Sequence, residues 1–310
     1  MTQADRAALV QAAYQSIARG SQSFAAASRL FAPMTRERAW LLYAWCRAAD
    51  DMTDGQELGG AAAAVQDDAG EAHMRLVALT DAALTSDAAV PTPFAALRLV
   101  ARETQMPRAF IDDHIAGFAL DAADWRPESE DDLLRYCYHV AGSVGCMMAV
   151  VMGVDPAERE VLDRASDLGL AFQLANIARD IVPDALAGRC YLPAQWLEAE
   201  GLAEADIHLP RHRPRLARMA QRLVELSRPY RASARIGAAH LAPRSRLAVL
   251  AADAIYGAIG ERVVQRETSA WDERVRTGAA AKLALFAGAL MRAPFTPAYT
   301  LRTGLWTRPG

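Results

Sequence analysis

Aromatic side chains make up only 7% of this 310-residue chain, and runs of β-branched residues are few. Strands draw on those two groups, so their scarcity argues against a β-rich fold, while abundant alanine, leucine and arginine favour helix. Positive charge is not in excess. The formal net charge is -3 at pH 7, which leaves no global field to attract nucleic acid. Lysine is nearly missing: Lys282 is the only one, and a bias toward GC-rich arginine codons accounts for that. The four cysteines (Cys46, Cys137, Cys146, Cys190) form no C-x-x-C pair, so they read as buried thiols in a reducing compartment rather than a disulfide framework. The most apolar run, residues 144–154, is shorter than the roughly 20 residues a membrane span needs. Residues 1–19 lack the charged-then-apolar pattern of a signal peptide. These absences lead us to expect a cytoplasmic protein, at most peripheral at a membrane face.

Other chemistries are excluded in the same way. No glycine-rich dinucleotide fingerprint follows a strand, so no NADPH site is expected. The histidines (His73, His114, His139, His208, His212, His240) lack ligand spacing, and without Glu-x-x-His pairs a di-iron centre is disfavoured. Asp112-Asp113-His114 reads as a solvated helical turn. No repeat of 20–50 residues is present.

What remains is helical pattern nearly throughout. The periodicity predicts helices over 3–19, 35–54, 61–85, 93–105, 107–122, 130–153, 156–182, 214–236, 240–265 and 278–292. Asp155-Pro156-Ala157-Glu158 has the form of a capping box with proline in the first turn, and Ser129 with Asp132 is a weaker version. Residues 209–218, rich in proline and arginine, look like a linker before a helix; their arginines could touch anionic lipid, but a solvated helix start is preferred. No boundary splits the chain, so one all-helical domain over residues 1–310 is the expectation.

Two acidic faces stand out. Tyr43, Arg47, Asp50 and Asp54 fall in one narrow helical stripe. Its acids sit at a helix C-terminus, where the macrodipole disfavours them, so an offset is needed: a divalent cation, or Arg47 and solvent. Gln173, Asn176, Asp180 and Asp184 form a second polar line on an otherwise apolar helix, which suggests a helix lining a cavity. Pro183 is expected to end or loosen that helix. Two such faces opposed across a bundle would make a carboxylate cage suited to magnesium. Gly142 and Gly145, inside a helix, mark a close approach, by another helix or by a ligand.

Five segments carry a resemblance: Ser21-Gln22-Ser23-Phe24, Tyr43 to Arg47 with its acidic run, Tyr136 to Gly145, Gln173 to Asp184, and Gly188-Arg189-Cys190-Tyr191-Leu192-Pro193. Together they resemble the squalene and phytoene synthase family from about residue 20 to about 275. Gly20, Gln22 and Pro183 depart from the histidine, lysine and acid common at those points. The resemblance implies an all-α isoprenoid synthase fold, a single-domain helical bundle around a central apolar cavity. It implies that Asp50, Asp54, Asp180 and Asp184, with Asn176, hold Mg2+ (Mn2+ as a substitute). It further implies that Arg47, Gln173, Asn176, Arg179, Tyr256 and Arg274 bind diphosphate, with Ser21 and Ser23 at the cavity mouth. Phe24, Tyr43, Tyr136, Tyr191 and Tyr256 would face a carbocation, and Val140, Ala141 and Gly142 a prenyl chain.

The implied reaction joins two geranylgeranyl diphosphates head to head. One diphosphate leaves to give an allylic cation, which the other substrate's double bond attacks, forming a cyclopropyl (prephytoene) diphosphate. The second diphosphate then leaves, the skeleton rearranges and a proton is lost, yielding phytoene without NADPH. Alternatives are a C30 dehydrosqualene- or squalene-type synthase using farnesyl diphosphate, with pocket length near Ser28 and Trp40 deciding, or a catalytically silent prenyl-lipid-binding protein. The expected assembly is a monomer or weak homo-oligomer.

Overall fold

The computed structural model describes residues 2–20, 27–53 and 69–309, and among these it contains helices and no strand. We label the helices α1 (Gln3–Gly20), α2 (Pro33–Thr53), α3 (Ala69–Thr85), α4 (Thr92–Thr104), α5 (Arg108–Ala122), α6 (Glu130–Cys137), α7 (Ser143–Val151), α8 (Arg159–Leu186), α9 (Ala194–Ala199), α10 (Arg213–Gly237), α11 (Pro243–Arg266) and α12 (Ala279–Arg292). The chain forms two compact units, Met1–Ala123 with Met147–Glu158, and Asp124–Cys146 with Arg159–Gly310. None of the four cysteines joins a disulfide.

In the first unit α2 is central. Its Leu41, Leu42, Trp45, Ala48 and Ala49 are buried, and α1 and α4 pack against it. A carboxylate fastens the three helices. Glu103 on α4 accepts from Arg6 Nε of α1 at 2.6 Å and from Arg38 Nε of α2 at 2.9 Å, while Arg6 Nη1 also donates to Glu37 at 2.6 Å. Burial pushes Glu103 up, but the two guanidiniums outweigh it and hold the group below its ordinary value. His114 is not on a solvated turn, as the sequence suggested. It is buried, edge-on to Trp45 and Phe118 with ring centroids at 5.6 and 4.9 Å.

The second unit is organised by α8, along which α10 runs. Leu170, Leu174, Ile177, Ala178 and Ile181 of α8 share a core with Leu216, Leu223, Val224 and Tyr230 of α10. The Ser129–Asp132 capping box forms in full and starts α6. The Asp155 motif closes a turn in which Asp155 accepts from the Ala157 N–H at 2.8 Å, but α8 begins later, at Arg159. Pro183 does not end α8, which runs on to Leu186. Proline removes its own N–H and its ring crowds the carbonyl four residues back, but its fixed φ is already helical and the cost falls in the last turn of a long helix. Ala187 N–H still reaches the Pro183 carbonyl at 3.1 Å, Arg189 N–H reaches that of Asp184 at 2.8 Å, and Gly188 at φ +77° turns the chain away. Asp184 therefore keeps its helical register.

Between α6 and α7, residues Tyr138–Gly142 make a π-helical turn against α8. A Cβ on Gly142 would sit 2.7 Å from Leu170 Cδ1, one on Gly145 2.4 Å from the Ala165 carbonyl oxygen, and one on Gly169 2.2 Å from that of Ala141. Backbone meets backbone at Gly145 and Gly169, and side chains of α8 close on Gly142, so helix packing accounts for the glycines at 142 and 145.

Residues beyond α12 strap back over α8. Arg302 chelates the buried Asp167 (2.7 and 2.9 Å), Arg308 Nε donates to Asp163 at 2.6 Å, and Arg164 donates to the Thr300 carbonyl at 2.7 Å. The Trp306 N–H donates to Tyr230 at 3.2 Å. The arginines of residues 209–218 are occupied: Arg211 faces Asp206, Arg213 Asp272 and Arg218 Glu200, and α10 already begins at Arg213. That agrees with the preferred reading of a solvated helix start.

Candidate active site

On α2 lie Tyr43, Arg47 and Asp50 of the predicted stripe. Arg47 donates to Asp50 at 3.0 Å and pairs with Asp51 at 2.5 Å. Asp51, which the spacing argument passed over, is the buried member of the run, whereas the Asp50 side chain is 48% exposed. The Arg47 charge thus offsets the helix-end acids, one of the two offsets foreseen. Burial raises the Tyr43 phenol, the Arg47 charge opposes this and the Asp50 charge adds to it. Ser21, Ser23, Phe24 and Asp54 lie outside the described residues. Ser28 is fully buried and accepts from the Trp40 indole N–H at 2.9 Å, with Trp40 against Tyr14 at 4.8 Å.

On α8 the second face is continuous. Asn176 Nδ2 donates to Gln173 Oε1 at 3.5 Å. Asp180 is gripped by Arg179 Nε at 2.9 Å and by Arg274 at 3.0 Å. Burial pushes Asp180 up, but these two cations outweigh it and hold the carboxyl below its ordinary range. Asp184 goes the other way: burial and the neighbouring Asp180 charge push it up to about 6. Asp184, raised beside the Asp180 charge, is a half-buried oxygen donor that a hard cation would relieve. Among the described residues no three His, Cys, Asp or Glu side chains come together as a metal cluster.

The same unit holds two sets of stacked aromatic rings. Tyr256 stacks on Phe172 with centroids 4.0 Å apart. Tyr136 stands between Tyr191 (4.9 Å) and Trp125 (5.7 Å), both near-parallel. Trp125 and Phe172 were missed in the sequence. Trp125 sits in the loop before α6, where no periodicity points to it, and Phe172 looked like one more core residue of an apolar helix. Val140 and Ala141 are half-buried in the π-helical turn, a form frequent at functional sites.

The sequence profile described as squalene/phytoene synthase matches residues 17–280. The chain belongs to this family. Within it, a 15-cis-phytoene synthase of Paracoccus sp. (strain N81106 / MBIC 01143) is 48% identical over 97% of this chain and 98% of its own length. A phytoene synthase of Pseudescherichia vulneris is 44% identical with the same coverage. Among solved structures, a dehydrosqualene synthase in complex with a ligand superposes with a TM-score of 0.82 over 94% of this chain and 98% of that one, at 24% identity. A squalene synthase from Alicyclobacillus acidocaldarius gives 0.75 over 86% and 97%, at 20% identity. At these identities the structural matches speak for the fold. It is the isoprenoid synthase fold, all-α as the sequence led us to expect, and the family makes the chain an enzyme of the prenyl-transferring class.

Proposed function

We propose that this protein is a phytoene synthase, which condenses two geranylgeranyl diphosphates head to head into phytoene and releases both diphosphates without NADPH. One observation carries the reading: near-full-length identity of 48% to a relative named 15-cis-phytoene synthase. The family profile spans segments of both compact units in a single match, which supports treating residues 1–310 as one catalytic domain.

We assign Asp50 and Asp54 on one face, and Asp180 and Asp184 with Asn176 on the other, as ligands of divalent cations, Mg2+ in the first place and Mn2+ as a substitute. The raised Asp184 fits that role, because a bound cation would offset the burial and the Asp180 charge that push it up. A cation there would draw charge from the departing diphosphate. Arg47, Arg179 and Arg274 stand beside those acids, and their planar guanidiniums suit bidentate phosphate binding. Gln173 and the hydroxyls of Ser21 and Ser23 add polar contacts, and Tyr43 takes part at the α2 face. The stacked faces of Tyr136, Tyr191 and Tyr256, together with Phe24 and the turn Val140-Ala141-Gly142, exclude water from the cation. Each aromatic face is worth about 0.5–2 kcal/mol to a positive charge. Among the described residues no helix is long and apolar enough to cross a membrane; we place the protein in the cytoplasm, with peripheral contact to the membrane that carries its substrates.

The test is purified protein with Mg2+, without NADPH, offered geranylgeranyl and farnesyl diphosphate in competition, with products read by mass. A C40 hydrocarbon is expected. A C30 product alone would overturn the chain length, and no hydrocarbon at all would overturn the reaction.

A further inference from the structure

Away from the acidic face of α8, a cleft of about 210 Å3 opens among α10, α11, α12 and the residues after α12. Arg246, Leu250 and Asp253 enter it from one face of α11, at successive offsets of four and three; Tyr256 lies about 90° further round that helix. Arg235 enters from α10, Arg292 from α12, and Phe295 from the segment beyond. Three arginines therefore line the cleft beside one carboxylate, and that carboxylate is already engaged. Asp253 is buried and accepts from Arg231 Nε at 2.6 Å and Arg235 Nε at 2.7 Å. Arg246 donates to the Phe295 carbonyl at 2.5 Å, yet its Nε is buried and has no acceptor among the described residues. An unsatisfied buried donor costs about 1–3 kcal/mol, more on a charged group. What the cleft offers an anion is its charge, three arginines against the single Asp253.

We propose that this cleft is a binding site for a phosphate-type oxyanion, distinct from the metal-binding face. Several converging guanidiniums suit the many oxygens of phosphate better than the two of a carboxylate. The volume is below the roughly 300–1,000 Å3 of ordinary small-molecule sites, so it takes a single phosphate or diphosphate group and excludes a nucleotide. Leu250 and Phe295 give it apolar walls, and Phe295 is 75% exposed. The group can arrive free, as inorganic phosphate or diphosphate, or as the headgroup phosphate of an anionic lipid.

The experiment uses the full chain in buffer with EDTA, so that the acidic face is without metal. Calorimetric titration with inorganic phosphate and diphosphate runs beside co-flotation with phosphatidylcholine vesicles with and without phosphatidic acid. Each is repeated with Arg246→Gln, Arg292→Gln and, as a control on the acidic face, Asp180→Asn. Circular dichroism checks folding; Arg292 is exposed at a helix end, so its variant stands if Arg246→Gln unfolds. Saturable binding weakened about tenfold or more by Arg292→Gln and untouched by Asp180→Asn is expected. Such loss in titration identifies the free ion, and such loss in flotation alone identifies the lipid headgroup. Binding in neither arm, or binding indifferent to Arg292→Gln, overturns the proposal.

Discussion

Replacing Gly169 by alanine adds one methyl group where the backbone of α8 meets the π-helical turn. The new Cβ would lie 2.2 Å from the Ala141 carbonyl oxygen. That atom cannot rotate aside as a side chain would, so the two segments must part by about 1 Å to restore an ordinary contact. Overpacking of this kind costs about 1–3 kcal/mol, and an atom fixed in the backbone argues for the upper end. Alanine returns about 1 kcal/mol through its helix propensity. The net expectation is a loss of about 2 kcal/mol, or a fall in Tm of about 3 °C. Gly169 also lies one turn before Gln173, so the wedge displaces the face that carries Asn176 and Asp180. A shift near 1 Å can cost about 100-fold in turnover. Gly288→Ala is the internal control. It too is in a helix, but its Cβ would meet nothing within 4 Å, so it should stabilise by about 0.5–1 kcal/mol. Calorimetric melting and initial rates of the three proteins, side by side, make the test. If Gly169→Ala melts within 1 °C of the parent while Gly288→Ala behaves as stated, the close crossing of these segments is refuted.

Arg302→Ala should cost about 3–5 kcal/mol in urea unfolding, because it strands the buried Asp167, which burial already pushes up against the opposing pull of Arg302. Glu103→Gln should destabilise by about 1–3 kcal/mol at pH 7. The folded-state value of Glu103 is lowered, so its contribution is present above the unfolded value and disappears as pH falls through the folded one; the gap between variant and parent should narrow as pH falls below the ordinary glutamate value of about 4.3. Asp184→Asn should retain or raise Tm, since it removes a like charge beside Asp180, while turnover falls at least about 100-fold; equal turnover would refute the ligand assignment.

Much of the fold is legible in the chain because the helices announce themselves locally. The Ser129 box caps α6 as read, and the predicted ends of α5, α10 and α12 fall within one residue of the observed ones. The errors came where one local signal met a stronger competing term. Pro183 looked like a terminator, but only one hydrogen bond near the end of a long, tightly packed helix was at stake. His114 looked solvated beside two acids, but Trp45 and Phe118 claim its ring. At the site, the α8 line and the α2 stripe followed from spacing alone. What spacing could not supply was which partner each acid finds: that Asp51 rather than Asp50 is buried against Arg47, and that Arg274, 94 residues away, grips Asp180. Such pairings depend on loops and tertiary packing, which a period of 3.6 does not encode.

The strap over α8 also sets a schedule for synthesis. Asp167 and Arg302 are 135 residues apart, which at about 5–20 residues per second is roughly 7–27 s on the ribosome. Throughout that interval α8 exists without the guanidiniums that neutralise Asp163 and Asp167, so its final burial has to wait for translation to pass residue 308. A nascent chain stalled before that point would leave an acidic, half-sheltered helix, a natural client for a chaperone.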